Sequence, residues 1–271
     1  MVLRGRRSAR NRIISLLTDF GVDGPYVAAM KGVILQIYPQ AKIVDISHII
    51  PHFDVRHGAY VLAESAPYFP AGSIHLAVVD PGVGTERRPI VVGTKHYMFV
   101  GPDNGLLSVA AVKDGLVSVW EIQNPTYMLD RPSRTFHGRD IFAPVAAHLA
   151  NGVALEEVGQ RLTSFQRLGL AEPRLEGDEV LGEVLFVDSF GNLVTNIDAS
   201  KLKELTHPGG AFIVRVGDLA KPTRLLLTYG EAEPSTPLIL AGSSGLLEIA
   251  VNRGSAAELF HASAGVAVRL K

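Results

Sequence analysis

Short apolar runs without polar alternation, separated by helix-like segments, constrain this chain most. Residues 13–17, 43–46, 74–79, 90–92 and 97–100 are rich in Val, Ile and Leu. Runs of this kind read as strands covered on both faces. Between them, residues 26–38 follow Pro25, a good first helical residue, and place Val27, Met30, Val33, Ile34 and Ile37 at helical spacing. Residues 55–66 and 141–149 read the same way. Strands alternating with helices predict an α/β N-terminal domain over residues 12–167, with a mostly parallel sheet.

The pattern changes after residue 167. Residues 168–180 contain Pro173 and Gly177 among Glu172, Arg174, Glu176, Asp178 and Glu179, and read as a linker. Short β-rich pieces follow at residues 181–187, 193–197, 211–216, 224–227, 238–241, 246–250 and 265–270. Turn residues separate them, as at Pro208-Gly209-Gly210 and Gly242-Ser243-Ser244-Gly245. Little helix is expected beyond a turn at residues 200–205. Residues 181–271 are therefore predicted to form a smaller all-β, barrel-like domain.

Composition removes several function classes. The net charge is -1 with 26 basic and 27 acidic residues, so bulk electrostatics point to neither nucleic acid nor an anionic membrane as partner. Cysteine is absent, which excludes disulfides, thiolate metal sites and a cysteine nucleophile. No apolar run approaches the ~20 residues that span a bilayer. The basic opening MVLRGRRSARNR reads as a frayed terminus rather than a secretory signal, because the next apolar stretch ends at Thr18-Asp19. A cytoplasmic location is expected.

Acidic residues close several of the runs: Asp19, Asp45, Asp80, Asp103 and Asp188. In open α/β sheets, ligands bind beyond the carboxyl ends of strands. A single Asp there more often caps a helix or turn. Asp19 and Asp80 stand out because Thr18-Asp19-Phe20-Gly21 and Asp80-Pro81-Gly82-Val83-Gly84 put glycine where backbone can approach a ligand. Among nine histidines, His137 is singled out by its setting, Phe136-His137-Gly138-Arg139-Asp140. Asp188-Ser189-Phe190-Gly191-Asn192 combines an anion, a ring and an amide, and Ser243 lies in a turn whose N–H groups suit a carboxylate. From the residues alone, these acids suit a Mg²⁺-dependent phosphate hydrolase, or a site for ribose hydroxyls or an amine.

These motifs, with Gly101-Pro102-Asp103-Asn104-Gly105 and Ser243-Ser244-Gly245-Leu246-Leu247-Glu248-Ile249-Ala250, occur in an order that closely resembles the S-adenosyl-L-methionine hydroxide adenosyltransferases. Those enzymes are hydrolase relatives of fluorinase and chlorinase. The resemblance runs from about residue 14 to the C-terminus. It implies hydrolysis of S-adenosyl-L-methionine to adenosine and L-methionine, with no cofactor or metal. It also implies a homotrimer whose sites lie at subunit interfaces. Asp80, Arg87 and His137 match the residues that hold the attacking water, and the adjacent Arg88 is the alternative arginine. Asp19 matches the ribose-binding carboxylate, and Phe53 and Phe136 match aromatic residues beside the substrate. Asp188 matches the partner of the methionine ammonium, Phe190 and Asn192 match adenine contacts, and Ser243 matches the methionine carboxylate contact.

Three departures separate the chain from the halogenating relatives. Ser244 stands where they carry an Arg. Gly138 stands where fluorinases carry a Ser. The segment after Gly84 passes through Thr85–Arg88 directly to a strand, without their extra loop. The last two favour water over halide as nucleophile. The other readings are a halogenase-type adenosyltransferase on the same substrate and a non-catalytic adenosine-binding protein.

Overall fold

The computed structural model of the protein describes residues 13–169, 171–204 and 210–271. The basic N-terminal segment and the expected turn residues Pro208 and Gly209 lie outside them. The chain divides into two compact units, Met1–Leu168 and Gly169–Lys271.

The first unit runs β1 (Ile13–Thr18), α1 (Tyr26–Ile37), β2 (Lys42–Ser47), α2 (Val55–Ser65), β3 (Ile74–Val78), β4 (Pro89–Thr94), β5 (Met98–Pro102), α3 (Ser108–Lys113), β6 (Leu116–Ile122), α4 (Ala143–Ala150) and β7 (Gly159–Leu162). The sheet order is β2-β1-β3-β5-β4-β6-β7. The pairs β1–β2, β1–β3 and β3–β5 are parallel, and the pairs made by β4 and β6 are antiparallel. Five of the seven strands therefore point the same way, as expected for this half.

Burial on both faces explains the unbroken apolar runs. Ile14 and Leu16 join a core built with Met30 and Ile34 of α1 and Val145 and Leu149 of α4. Leu17, Ala77 and Phe99 face the opposite core, with Leu62 of α2 and Ala110 of α3. Helices α3 and strands β6 and β7 were not among the expected elements. The six residues of α3 are too few to show a period, and the β7 sequence GQRL carries almost no apolar signal. Pairing with β6 holds β7 in the sheet.

The second unit contains β8 (Arg174–Glu176), β9 (Glu179–Val187), β10 (Leu193–Asp198), β11 (Ala211–Val216), β12 (Leu219–Arg224), β13 (Pro237–Ala241), β14 (Leu246–Val251), α5 (Ala256–Phe260) and β15 (Ala267–Leu270). Its sheet runs β12-β11-β15-β9-β10-β14-β13, every pair antiparallel. A bridge from Leu225 to Ile239 links the end strands, so the barrel is nearly closed. Val184, Leu193, Val214, Leu247, Ile249 and Val268 fill its interior.

Three details depart from the expectation. The segment read as a linker contains β8, which pairs with β9 across a turn where Gly177 has φ +63°. All three β8 residues are exposed, so its polar composition is that of an edge strand. The strand expected at residues 224–227 lies at Leu219–Arg224 instead, and only Leu225 of that stretch continues into the bridge. Helix α5 was also unexpected. Its signal was local: Ser255 caps it by accepting the Glu258 N–H at 3.1 Å.

Gly101 in β5 lies so close to β3 that a Cβ there would overlap the Ala77 carbonyl oxygen. That atom is backbone and cannot swing aside. Gly101→Ala is expected to cost about 2 kcal/mol, read as a lower urea midpoint at unchanged slope. An unshifted midpoint would show that the two strands can separate there without cost.

Candidate active site

The candidate site begins where the parallel strands end. Buried Thr18 closes β1, and its hydroxyl meets His48 Nδ1 at 2.9 Å and accepts the Phe20 N–H at 3.3 Å. The His48 carbonyl accepts the Gly21 N–H at 2.8 Å, and Gly21 takes φ +74° to turn the chain. These bonds fix Asp19, which is buried at 6% exposure. Its Oδ2 accepts the Phe53 N–H at 2.9 Å, from the loop between β2 and α2. Phe53 has φ +66°, a costly conformation for a residue with a side chain, and its ring is exposed. The other oxygen of Asp19 remains available at the edge of the cavity.

Asp80 lies two residues beyond β3. The turn that follows depends on Gly84, at φ +77°, where a Cβ would overlap the Arg134 carbonyl oxygen. The chain returns seven residues later with Arg87. Arg87 Nε donates to Asp80 Oδ1 at 3.1 Å, and Nη2 donates to Oδ2 at 2.5 Å. The two side chains are only 6% and 5% exposed. Arg87 Nη2 also lies 3.0 Å from His137 Nδ1. A guanidinium only donates, so Nδ1 is the acceptor and the ring proton sits on Nε2. Arg87 Nη1 is buried without a hydrogen-bond partner among the described residues, and the guanidinium stands 5.3 Å from the Phe142 ring centre.

Electrostatics agree with that arrangement. Burial raises the Asp80 pKa, and Arg87 offsets part of the rise. Burial lowers the His137 pKa, and the Arg87 charge lowers it further. His137 is therefore neutral near pH 7. It stands directly before Gly138–Phe142, a π-helical turn that leads into α4. Such turns are uncommon and often accompany functional residues.

Asp19, Phe53, Asp80, Phe136 and His137 line one cavity of about 620 Å³ in the first unit. Arg87 stands behind Asp80 and His137. Phe136 packs against Phe20 and Tyr26 with ring centres 5.8 and 5.3 Å away, and Arg139 covers its other side at 4.9 Å. Arg88, the alternative arginine, turns away: it pairs with Asp103 at 2.5 Å. Asp103 also accepts the Gln166 N–H at 2.6 Å, and Asn104 donates to the Val79 carbonyl at 2.8 Å, so that turn is structural.

Asp188, Phe190, Asn192 and Ser243 line a second cavity of about 720 Å³, within the second unit. Asp188 organises its own turn, accepting the N–H groups of Phe190 and Asn192 at 2.8 and 2.9 Å and the Asn192 amide at 2.9 Å. The Phe190 ring is left exposed.

Comparison with known proteins decides what kind of protein carries these two cavities. Residues 14–159 match the SAM hydroxide adenosyltransferase N-terminal domain, and residues 182–269 match the C-terminal domain of the same family. The chain belongs to this family. It is 42% identical to (R)-S-adenosyl-L-methionine hydrolase of Thermus thermophilus, over 96% of this chain and 99% of the relative. Identity to the protein of that name in Methanocaldococcus jannaschii is 38%, over 92% of each. Fluorinase of Nocardia brasiliensis is 30% identical, over 97% of this chain and 98% of the relative. The crystal structure of a conserved protein from Thermotoga maritima superposes with a TM-score of 0.91 at 42% identity, covering 95% of this chain and 99% of that one.

Within this family framework, several lining residues escaped the sequence reading. The first cavity also includes Tyr26, His52 and Arg139, and the second includes Tyr229, Glu248 and Arg253. Arg139 and Glu248 lie inside motifs quoted above but had no role assigned, and Tyr26, His52, Tyr229 and Arg253 sit at ordinary helix and turn positions that nothing local distinguished. Among the described residues, no group of three or more His, Asp and Glu side chains gathers as metal ligands, and no helix is long and apolar enough to cross a membrane.

The Asp80–Arg87 pair generates a stability prediction. Removing one partner leaves the other charge buried and alone, so Asp80→Ala is expected to cost about 3 kcal/mol in thermal or urea unfolding. The double variant Asp80→Leu/Arg87→Met should recover most of that loss. A double variant no more stable than Asp80→Ala would show that the two charges are not coupled.

Proposed function

We propose that this enzyme hydrolyses S-adenosyl-L-methionine to adenosine and L-methionine, by in-line attack of water on ribose C5′. The observation that carries the reading is the buried Asp80–Arg87–His137 set at the wall of the first cavity. Curated relatives of near-full-length match are named for the (R) epimer of this substrate. The (R)-sulfonium compound is therefore the form to test first.

The chemistry asks little of a leaving group. When the C5′–S bond breaks, its electron pair stays on sulfur and methionine departs as a neutral thioether. The new C5′–O bond comes from water, which must lose one proton. His137 Nδ1 is occupied by Arg87, so its Nε2–H can only donate to the water and hold it. Asp80 retains lone pairs beyond the two that bind Arg87, and its pKa is raised, so it is the acceptor of the proton. Arg87 keeps the carboxylate oriented and balances its charge. No metal, Lewis acid or other cofactor enters the scheme.

The remaining contacts follow the family pattern. Asp19 holds the ribose diol through the oxygen not bound by Phe53, and Phe53 and Phe136 flank the substrate. Asp188 takes the methionine ammonium, Phe190 and Asn192 the adenine, and Ser243 the carboxylate. The two cavities are brought together between copies of the chain in a homotrimer. Exposed Phe53 on the first cavity and exposed Phe190 on the second support this, because apolar lining left open needs cover to exclude water. A cytoplasmic location belongs to the same reading, and the lack of cysteine is compatible with it.

A fluoride- or chloride-using reaction is the second reading, supported by the 30% identity to fluorinase. Gly138 disfavours it. It leaves that position without the hydroxyl that fluorinases carry, and a Cβ there would meet Met30 Sδ at 3.3 Å and the rings of Phe136 and Phe20 at 3.4 Å, so a serine would need those side chains to give way slightly.

Chromatography of reactions with the (R) and (S) epimers should show adenosine and methionine in equal amounts, unaltered by a chelator or by added halide. Folded protein that forms neither product would overturn the proposal. Asp80→Asn or His137→Ala should lower kcat by ~10²–10⁴-fold. Activity requires ionised Asp80, so kcat/KM should fall as pH drops through a value above the ordinary carboxylate 3.8. The profile should stay flat near neutrality, where His137 is already uncharged. An inflection near pH 7 that Asp80→Asn leaves in place would point to another base.

A further inference from the structure

Tyr229 and Glu248 line the second cavity, yet no role described so far uses either residue. Tyr229 sits in a single 3₁₀ turn (Tyr229–Glu231), the kind of short segment that does not fix a side chain by itself. Its ring is 42% exposed. The one strong constraint on it is the bond from its hydroxyl to Glu248 Oε2, at 2.6 Å. Burial pushes the Tyr229 pKa upward, and that bond and the Glu248 and Asp188 charges push it further.

Glu248 is held more firmly. It lies in β14 between Leu247 and Ile249, both fully buried in the barrel, so alternation sends its side chain to the outer face. Its partners across the sheet are Val194 of β10 and Leu240 of β13. Its carboxylate comes so close to Gly242 that a Cβ there would overlap Oε1 as the side chain now lies. Gly242 directly precedes Ser243. The glycine therefore leaves room for a carboxylate in the cavity lining, and that carboxylate accepts the Tyr229 hydroxyl.

We propose that Glu248 is a positioning residue for this cavity: it orients the Tyr229 ring, which lines the cavity with Phe190, as a platform for one end of a flat nucleoside ligand. This rests on the reading of the second cavity as the nucleoside-binding half of the site. Glu248 acts through the tyrosine hydroxyl rather than on the ligand. Ring faces stack on bases with little demand for hydrogen bonding, so what matters is that the ring is already in place when the ligand arrives.

The experiment is a double-mutant cycle on the intact enzyme, with Glu248→Ala, Tyr229→Phe and the two combined. Two readouts are taken: KM and kcat for hydrolysis, and calorimetric binding of adenosine. Each single variant is expected to raise KM and weaken adenosine binding by about tenfold, the loss of one charge-assisted hydrogen bond, with kcat within about twofold. The double variant should be no worse than either single one. Glu248→Gln keeps an acceptor for the hydroxyl and should restore binding to within about threefold, which a requirement for charge would not allow. Unchanged adenosine binding in Glu248→Ala overturns the proposal. So does a double variant whose loss is the product of the two single losses, because Glu248 would then contact the ligand itself. Equal thermal midpoints separate either result from misfolding. Wild-type protein that binds adenosine without hydrolysing the substrate would refute the proposed function and leave the positioning role standing.

Discussion

The buried Asp80–Arg87 pair is the interaction on which the first cavity depends. Two charges that are almost fully enclosed are costly to desolvate, and they persist only with good geometry and further hydrogen bonds. Here one edge of the guanidinium, Nε and Nη2, meets both oxygens of the carboxylate, and the same Nη2 reaches His137. One arginine thus sets three things together: the orientation of the carboxylate, the ring proton of the histidine, and the path of the chain between residues 80 and 87. The short turn through Gly82 and Gly84 follows from that closure, since the pair can form only if the chain doubles back tightly. Arg87 Nη1 is the unbalanced part, a buried donor with no hydrogen-bond partner among the described residues.

Around this pair the sheet supplies the rest. Strands β1, β2 and β3 end side by side, so Asp19, the loop bearing Phe53, and Asp80 emerge along one edge. Each loop is tied to another. Asp19 accepts from Phe53, the His48 carbonyl accepts from Gly21, and Asp54 caps α2 by accepting the His57 N–H at 2.9 Å. The strained φ of Phe53 persists because those bonds over-determine it. Opposite them, the π-turn at Gly138–Phe142 begins directly after His137 and packs Phe142 into the core beneath Arg87. The cavity is therefore walled by segments whose backbone is fixed from outside it.

This division explains what was legible in the sequence. The runs at β1, β3 and β5 stood out because burial on both faces leaves no polar alternation, and Asp19 and Asp80 stood out because they end such runs. Choosing Arg87 over Arg88 was beyond sequence, because neighbouring residues leave the chain on opposite sides and only the fold says which side holds Asp80. Glu248 was hidden for a related reason. In a half-buried strand, an acid between Leu247 and Ile249 reads as an ordinary solvent-facing residue. Its bond from Tyr229 and its close approach to Gly242, six residues earlier, show that the carboxylate has partners in the fold. Likewise β8 and α5 were too short to outweigh the charged composition around them, and pairing or capping decides their structure rather than period. The family resemblance reached the site residues by their order along the chain, which no local pattern encodes.

For the proposed reaction, the same buried pair also bears on the choice of nucleophile. A halide enters as an anion that must shed its hydration and find donors. Here the group at the cavity wall is a carboxylate, whose field opposes an approaching anion most strongly where water is excluded. Water meets the opposite conditions. It arrives neutral, so burial costs it little if its hydrogen bonds are replaced, and Asp80 and the neutral His137 offer one acceptor and one donor for that purpose. The negative charge that repels halide is the charge that draws the proton from water. Arg87 moderates this, since a fully compensated carboxylate would be a poor base and an uncompensated one would not stay ionised in a buried place. The raised pKa of Asp80, despite an arginine on both its oxygens, is the physical mark of that balance.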